Sequence, residues 1–291
     1  MTSVAVVAHD DKLRPATRRA LLAALAARGI DASWTTVPKA KKARKAATRA
    51  VEQGVDVVVA CGGDGTVRAA SEALVGTAVA LAVVPVGTAN LFAGALALPT
   101  RAADVIDLVA DGARRRIDTG VCNDMVFNVM AGTGFDAAMI ADADDHKQRF
   151  GLLAYARAGF RDAHRRQPFG ASLLLDGKPF YEGPATCVLV GNLGRLRGGL
   201  QAFPDASPVD GLLDVAVVTA TGLKEWARVF AAATRRRRDS PPHAHVGQAA
   251  AITVELDGSH RYELDGGAKG KTAWLDFAVR PLSLTVCAPA G

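Results

Sequence analysis

The chain has few aromatic residues. Phe, Trp and Tyr make up 5% of its 291 residues and are not interleaved with the basic ones. Proteins that bind single strands stack bases on aromatic faces set among cations. With no recognition motif either, nucleic acid is excluded as an expected partner. Cysteine is equally scarce. Cys61, Cys122, Cys187 and Cys287 stand far apart with no Cys-x-x-Cys pair, which argues against a zinc site or a disulfide framework. Three of them lie in apolar, strand-like runs, where a free thiol behaves as a small hydrophobe. Met1 to Asp10 lacks a basic segment followed by an apolar stretch, so no signal peptide is expected and the cytoplasm is the expected compartment. The run from Ala73 to Thr100 has no charge and is long enough to span a bilayer, but Pro85, Gly87, Asn90 and Pro99 interrupt it. It reads as the helix, strand, loop and helix of a buried sheet.

What is present is apolar material for real cores, 49% of residues, and a net charge of +6 suited to nucleotide phosphates or an anionic membrane surface. Val4 to Ala8, Asp31 to Val37, Val55 to Cys61 and Val79 to Val84 read as strands. Helices are expected at Pro15 to Arg28, Lys39 to Gln53, Val67 to Leu74 and Leu91 to Leu96. Strand and helix alternate, as in a parallel sheet. After Asp118 the texture changes to strand-like runs punctuated by Gly and Pro: Phe127 to Met130, Ala171 to Leu175, Thr186 to Val190, Leu213 to Val218, Ala251 to Leu256 and Trp274 to Val279. An antiparallel β domain is expected there, with helices around 151–166 and 224–236.

The most informative stretch is Gly62-Gly63-Asp64-Gly65-Thr66, between a buried strand and a helix. A glycine turn at that junction lets backbone N–H groups approach a ligand, and the helix N-terminus favours negative charge. Asp64 puts a carboxylate into this anion site, which suits a bridging divalent metal or a group that takes a proton from an attacking hydroxyl. No Gly-Lys-Ser/Thr follows, so this is not the common P-loop. Arg68 stands where a dinucleotide fingerprint needs its third glycine. A second turn, Pro85-Val86-Gly87-Thr88-Ala89-Asn90, follows the next strand. Two such turns fit the ligand-binding edge of an open α/β sheet.

Together, Gly62 to Thr66 and Pro85 to Ala93 resemble the diacylglycerol kinase catalytic-domain family, which includes bacterial lipid kinases and sphingosine and ceramide kinases and shares a superfamily with NAD kinases. The resemblance continues through Asp118-Thr119-Gly120, Phe127-Asn128-Val129, Gly132-Thr133-Gly134-Phe135-Asp136, Gly191-Asn192, Gly198-Gly199, Pro204-Asp205-Ala206, Asp210 to Asp214, Leu264-Asp265-Gly266 and Arg280-Pro281-Leu282. It implies an α/β nucleotide-binding domain over 1–118, rejoined by 281–291, and an antiparallel β-sandwich domain over 119–280 that contributes to the acceptor site.

The implied activity is transfer of the terminal phosphate of ATP to a lipid alcohol, with diacylglycerol to phosphatidate the first expectation. The implied partners are ATP, Mg2+ and a membrane lipid met by peripheral contact at the inner face, with a homodimer left open. The nucleotide-binding set is Thr36, Gly62, Gly63, Asp64, Gly65, Thr66 and Thr88. A structural magnesium site is implied at Ser207, Asp210 and Leu212, the first and last through backbone carbonyls; a plain turn into the strand at Leu212 is the competing reading.

The chain departs from the family in three places. Gly267 stands where bacterial members carry an acidic base after Asp-Gly. Asp64 is then the preferred base, Asp265 or Glu263 the alternative through a shifted loop, and nucleotide binding with little turnover a third reading, since losing a general base costs about a hundred- to ten-thousand-fold. Leu91 replaces a common aspartate after Asn90. His9-Asp10-Asp11-Lys12 lacks the family's Asn-Pro and glycine pattern. A kinase for a soluble polyol or dinucleotide is the competing enzyme reading.

Other features weigh less. Arg235 to Arg238 ends an amphipathic helix containing Trp226, Val229 and Phe230, and reads as a solvated helix end more than an anionic-lipid contact. His243 and His245 lack metal-ligand company. Asp142, Asp144 and Asp145 lack the rest of a calcium loop. Lys39 to Arg49 reads as an exposed helix face that could also draw nucleotide.

Overall fold

A computed structural model of the chain describes residues 2–134, 168–195, 201–234 and 242–289. The expected helix at 151–166, the Phe135-Asp136 and Gly198-Gly199 motif pieces, the aspartates at 142, 144 and 145 and the arginine run at 235–238 lie outside the described residues. The chain divides into two compact units: Met1–Thr119 with Pro281–Gly291, and Gly120–Arg280.

In the first unit, β1 (Val4–His9), β2 (Ala32–Val37), β3 (Val57–Gly62) and β4 (Ala80–Pro85) form a parallel sheet in the order β2-β1-β3-β4. The chain's final strand, β14 (Gly267–Val286), ends here and pairs in parallel with β4, Thr285 beside Ala80. Strands β1 and β3 are buried along their whole length, as continuous apolar runs in a doubly covered sheet must be. One face, carrying Val4, Val6, Ala8, Val57, Val59 and Cys61, packs on Leu21 and Leu25 of α1 (Pro15–Ala27) and on Val105, Ile106 and Val109 of α5 (Ala102–Ala110). Helices α2 (Ala40–Glu52) and α3 (Asp64–Leu74) pack on each other. In α2 the buried residues are Ala43, Ala47 and Ala50, so the small side of a 3.6-residue repeat faces inward and the basic side is left to solvent. The segment that returns from the end of the chain is fastened at Asp118 and Thr119. The Leu282 N–H donates to Asp118 Oδ1 at 2.6 Å, and the Thr119 and Ser283 hydroxyls lie 2.8 Å apart.

Two boundaries differ from the sequence expectation, and both move toward the turns. Strand β3 runs on through Gly62, and α3 starts at Asp64 rather than Val67, so most of the glycine stretch is helix N-terminus and not loop. The uncharged run 73–100 holds the end of α3, β4, the second turn and the short helix α4 (Leu91–Ala95). Among the described residues, no helix is long and apolar enough to cross a membrane.

In the second unit the strand pairings are antiparallel. They link β5 (Arg115–Cys122), β6 (Met125–Phe127), β7 (Met130–Thr133), β8 (Phe169–Leu175), β9 (Lys178–Ala185), β10 (Cys187–Gly191), β11 (Leu213–Val218), β12 (Ala244–Ala249), β13 (Ala251–Leu264) and the first part of β14. Strand β13 holds the sandwich together. Its first half pairs with β8, its last residues pair with β7, and a register shift between Glu255 and His260 separates the two. A bulge of this kind lets one strand pass from one sheet to the other. Val188, Val190, Val215 and Val217 from one side meet Leu173, Ile252, Val254, Leu275 and Phe277 from the other in the core. One helix of this unit is described, α6 (Leu223–Thr234), where a helix was expected. All four cysteines are buried thiols outside any disulfide, and burial pushes the thiols of Cys61 and Cys122 up to about 12.

Candidate active site

The glycine stretch and the second turn lie back to back. A methyl group at Gly63 would come within 3.1 Å of Gly87 Cα, and one at Gly87 would run into Gly63 Cα and come within 2.8 Å of Asn90 Oδ1. Two backbones meet there, so glycine is needed at Gly87 and a methyl group at Gly63 would be tight. Gly62 has a different reason. A side chain there would strike Thr66, whose hydroxyl oxygen would be 2.6 Å away. Thr66 is itself 1% exposed, so its place in the turn is one of packing. Gly65 and Thr88 are exposed, and so is Thr36 near the end of β2.

The N–H groups of Thr66 and Val67 both donate to the Gly63 carbonyl. A helix leaves its first N–H groups without intrahelical acceptors, so the start of α3 presents donors and the positive end of the helix dipole beside the paired turns. The second turn is locked by Asn90 in left-handed conformation, φ 48°. Its Oδ1 accepts the Gly87 N–H at 2.9 Å and its Nδ2 donates to the Gly87 carbonyl at 2.8 Å. Leu91, the departure from the family pattern, is 1% exposed and serves the core.

Asp64 joins the two turns. Its Oδ1 accepts the Phe92 N–H at 3.3 Å, at the N-terminus of α4. Burial raises its pKa above the ordinary carboxylate value, against the lowering effect of the N–H groups of Phe92, Leu91, Asp64 itself and Asn90. Its carboxylate thus accepts one long hydrogen bond with three further N–H groups turned toward it, and the net effect of burial makes it a better proton acceptor than an exposed aspartate.

In the second unit, Asp265 is 4% exposed and accepts three backbone N–H bonds: Asn128 at 2.8 Å on Oδ2, Val129 at 2.7 Å and Met130 at 3.1 Å on Oδ1. Its own N–H donates to the Met130 carbonyl at 2.8 Å. Asp265 and Gly266 have φ of 47° and 74° and connect Leu264 to Gly267 directly across the β13–β14 hairpin, the geometry of a type I′ turn. Asn192 adds its Nδ2 to the Asn128 carbonyl at 2.9 Å and its N–H to the Val129 carbonyl. Three motifs of the sequence, Phe127-Asn128-Val129, Gly191-Asn192 and Leu264-Asp265-Gly266, therefore meet in one hydrogen-bonded knot. The Asp265 carboxylate is occupied by it. The expected single strand over Phe127 to Met130 is broken there into β6 and β7, because residues 128–130 turn their N–H groups to Asp265. Glu263 is 8% exposed within β13, opposite Gly132 and Ala268.

At the other candidate metal position, Asp210 Oδ1 accepts the Leu212 N–H at 3.0 Å, an Asx-turn leading into β11. Burial, with Asp210 and Asp205 nearby, pushes the Asp214 carboxyl up to about 7, against a 3.1 Å hydrogen bond from Gln248. Among the described residues, no group of three or more His, Cys, Asp and Glu side chains is gathered for a metal.

Residues 11–122 match the family described as Diacylglycerol kinase catalytic domain, and residues 129–288 match the YegS C-terminal NAD kinase beta sandwich-like domain. A diacylglycerol kinase of Mycobacterium tuberculosis is 30% identical over 247 residues, 83% of this chain and 80% of its own length. A diacylglycerol kinase of Bacillus subtilis is 30% identical over 244 residues, 82% of this chain and 80% of that protein. A Synechocystis protein without a stated function is 28% identical over 254 residues, and the matched region is 58% of its length. Among solved structures, a diacylglycerol kinase of Bacillus anthracis superposes with a TM-score of 0.77 at 21% identity, covering 99% of this chain and 96% of that one. An NAD kinase of Archaeoglobus fulgidus, solved in complex with ATP, superposes at 0.56 and 13% identity over 98% and 93%. The fold is thus the NAD kinase-like pairing of an α/β domain with a β-sandwich-like domain. The chain belongs to the diacylglycerol kinase catalytic-domain family, a family of lipid kinases.

Proposed function

We propose that the protein transfers the terminal phosphate of ATP to the hydroxyl of a membrane lipid, with diacylglycerol the first substrate to test. The observation that carries this reading is Asp64: a carboxylate whose pKa burial raises, set between two contacting glycine turns at a helix N-terminus. The backbone at Gly62, Gly63 and Gly65, at the start of α3, receives the phosphates, and Thr66 shapes the turn from behind. Thr36 and Thr88, both exposed, are the side chains offered to the nucleotide. Most of the catalytic effect comes from holding donor and acceptor in line. Asp64 takes the proton of the lipid hydroxyl as its oxygen forms the new bond to phosphorus, and the bond from that phosphorus to the leaving ADP oxygen breaks. Asp265 holds the 127–130 segment in shape and takes no proton, because its oxygens already accept three short bonds.

Magnesium fits Asp210 in kind. The Asx-turn holds one carboxylate oxygen beside the backbone at 212, the carbonyls of Ser207 and Leu212 would be the further oxygen ligands, and the nearby Asp205 and Asp214 make the region electronegative. When bound, the ion would neutralise this carboxylate group and stiffen the turn into β11. The exposed basic side of α2, with Lys41, Lys42, Lys45 and Arg49, supports peripheral contact with an anionic membrane.

The test is transfer of labelled terminal phosphate from ATP, with magnesium, to diacylglycerol in anionic vesicles, against glycerol and NAD as soluble acceptors. Labelled lipid is the expected product. Labelled glycerol or NAD with unlabelled lipid would contradict the lipid reading, and ATP binding with no labelled product would turn the reading toward a nucleotide-binding regulator.

A further inference from the structure

The loop after β1 reaches the glycine turn. Asp10 donates its N–H to the Val37 carbonyl at 3.0 Å and Leu13 donates to the His9 carbonyl at 3.1 Å, so the loop is closed against β2 and leads directly toward α1. This fold of the loop carries Lys12 over the start of α3. The Lys12 ammonium nitrogen lies 3.1 Å from the point a methyl group on Gly63 would occupy. Lys12 is exposed and, although Asp10 and Asp11 flank it, forms no ion pair or hydrogen bond among the described residues.

A second observation comes from the end of β1. His9 is 8% exposed, and its Nδ1 has no hydrogen-bond partner. Val4, Val6 and Ala8 face α1 and α5, so the alternation of the strand turns His9 to the other face. In the neighbouring strand, Val57, Val59 and Cys61 face α1 and α5, which places Gly62 on the same side as His9, one step beyond the Ala8–Cys61 pair. A buried imidazole nitrogen without a partner and an unpaired ammonium therefore flank the same turn. A buried polar atom without a partner is costly, and a bound anion would relieve it.

We propose that Lys12 is the phosphate-binding cation of this site, contacting the terminal phosphates of a nucleoside triphosphate at Gly63, with His9 donating from beneath in the tautomer protonated on Nδ1. The inference rests on the nucleotide reading of the glycine turn given above and adds a side-chain charge to what is otherwise a backbone cradle. An ammonium binds phosphate as a mobile point charge. Losing one such charge-assisted contact weakens binding about 10- to 100-fold.

The experiment is titration of ATP, inorganic tripolyphosphate and adenosine, with magnesium present, into the full chain and into Lys12→Met and Lys12→Arg. The expected result is about 10- to 100-fold weaker ATP and tripolyphosphate binding in Lys12→Met, unchanged adenosine binding, and recovery of most of the loss in Lys12→Arg. Turnover should follow the same pattern, with the KM for ATP raised more than kcat is lowered. Because Lys12 is exposed, the Met variant is expected to unfold with the parent, and denaturation curves check this. Equal tripolyphosphate affinity in parent and Lys12→Met would overturn the inference while leaving the kinase reading intact. Lys12-dependent tripolyphosphate binding without phosphate transfer to lipid would keep the inference and remove the kinase reading. A parent that binds neither ATP nor tripolyphosphate would end both.

Discussion

Asp64 in the first unit, half-buried, and Asp265 in the second, buried, both stand beside glycine and both accept backbone N–H groups. They differ in how tightly. Asp265 holds three N–H groups at 2.7 to 3.1 Å, in a two-residue hairpin turn whose φ angles favour Asp-Gly. Asp64 holds the Phe92 N–H at 3.3 Å, and burial, the larger influence, raises its pKa. A carboxylate whose oxygens are filled by short bonds organises backbone. One whose desolvation outweighs its hydrogen bonds has proton affinity to spare. The sequence motif Asp-Gly is the same at both places, and the hydrogen bonds separate structure from chemistry.

The comparison is broken most forcefully at Asp265. Asp265→Ala leaves three buried N–H groups without an acceptor and should cost about 3 to 5 kcal/mol of stability, read as a lower denaturation midpoint in urea. A loss within about 0.5 kcal/mol would show that the knot is not structural. Next is Gly87→Ala, which forces a methyl group onto Gly63. It should destabilise by about 1 to 3 kcal/mol and weaken ATP binding together with stability, since the two turns separate.

Asp64 should link stability to pH. Its folded pKa is raised above the ordinary 3.8, so between the two values the folded state binds more protons than the unfolded one, and stability falls as pH rises through that window. Asp64→Asn removes this slope. Its stability relative to the parent should therefore increase from about pH 4 upward and level off above the folded pKa, measured by urea denaturation at each pH. A difference that stays flat would mean Asp64 is not desolvated. The smallest effect is expected on α2. Lys41→Glu with Lys45→Glu should leave stability within about 0.5 kcal/mol yet lower binding to anionic vesicles, a loss that disappears at high salt where surface charge is screened.

The first unit was the more legible in sequence. Continuous apolar strands end at glycine turns, and β1 to β4 fall within two residues of expectation. The helix of α2, expected as a basic helix over 39–53 ending at Gly54, spans Ala40–Glu52. Three strands, β9, β12 and β5, went unread for identifiable reasons. Strand β9 carries Lys178, Pro179, Glu182, Gly183 and Pro184, composition that belongs to a loop unless the strand lies at a sheet edge, and β9 pairs only with β8 among the described strands. Strand β12 buries only its two end residues, Ala244 and Ala249, and so shows no period-two pattern. Strand β5 begins with two arginines. The family tracts were recognised in sequence, but their reasons were not: Gly62 answers to Thr66, and Asp265 answers to the N–H groups of residues 128–130, partners that are distant or unmarked along the chain. Asp176-Gly177 and Asp265-Gly266 are the same hairpin dipeptide with both φ positive. Reading them as turns from the outset would have placed both β8–β9 and β13–β14.

The most direct test of the account is single-turnover phosphate transfer from saturating ATP to diacylglycerol vesicles, with parent and Asp64→Asn compared after ATP affinity has been measured for each. The account predicts bound ATP in both and transfer slowed about a hundred- to ten-thousand-fold in Asp64→Asn. Equal transfer rates in the two proteins would contradict it and return the proton to another group.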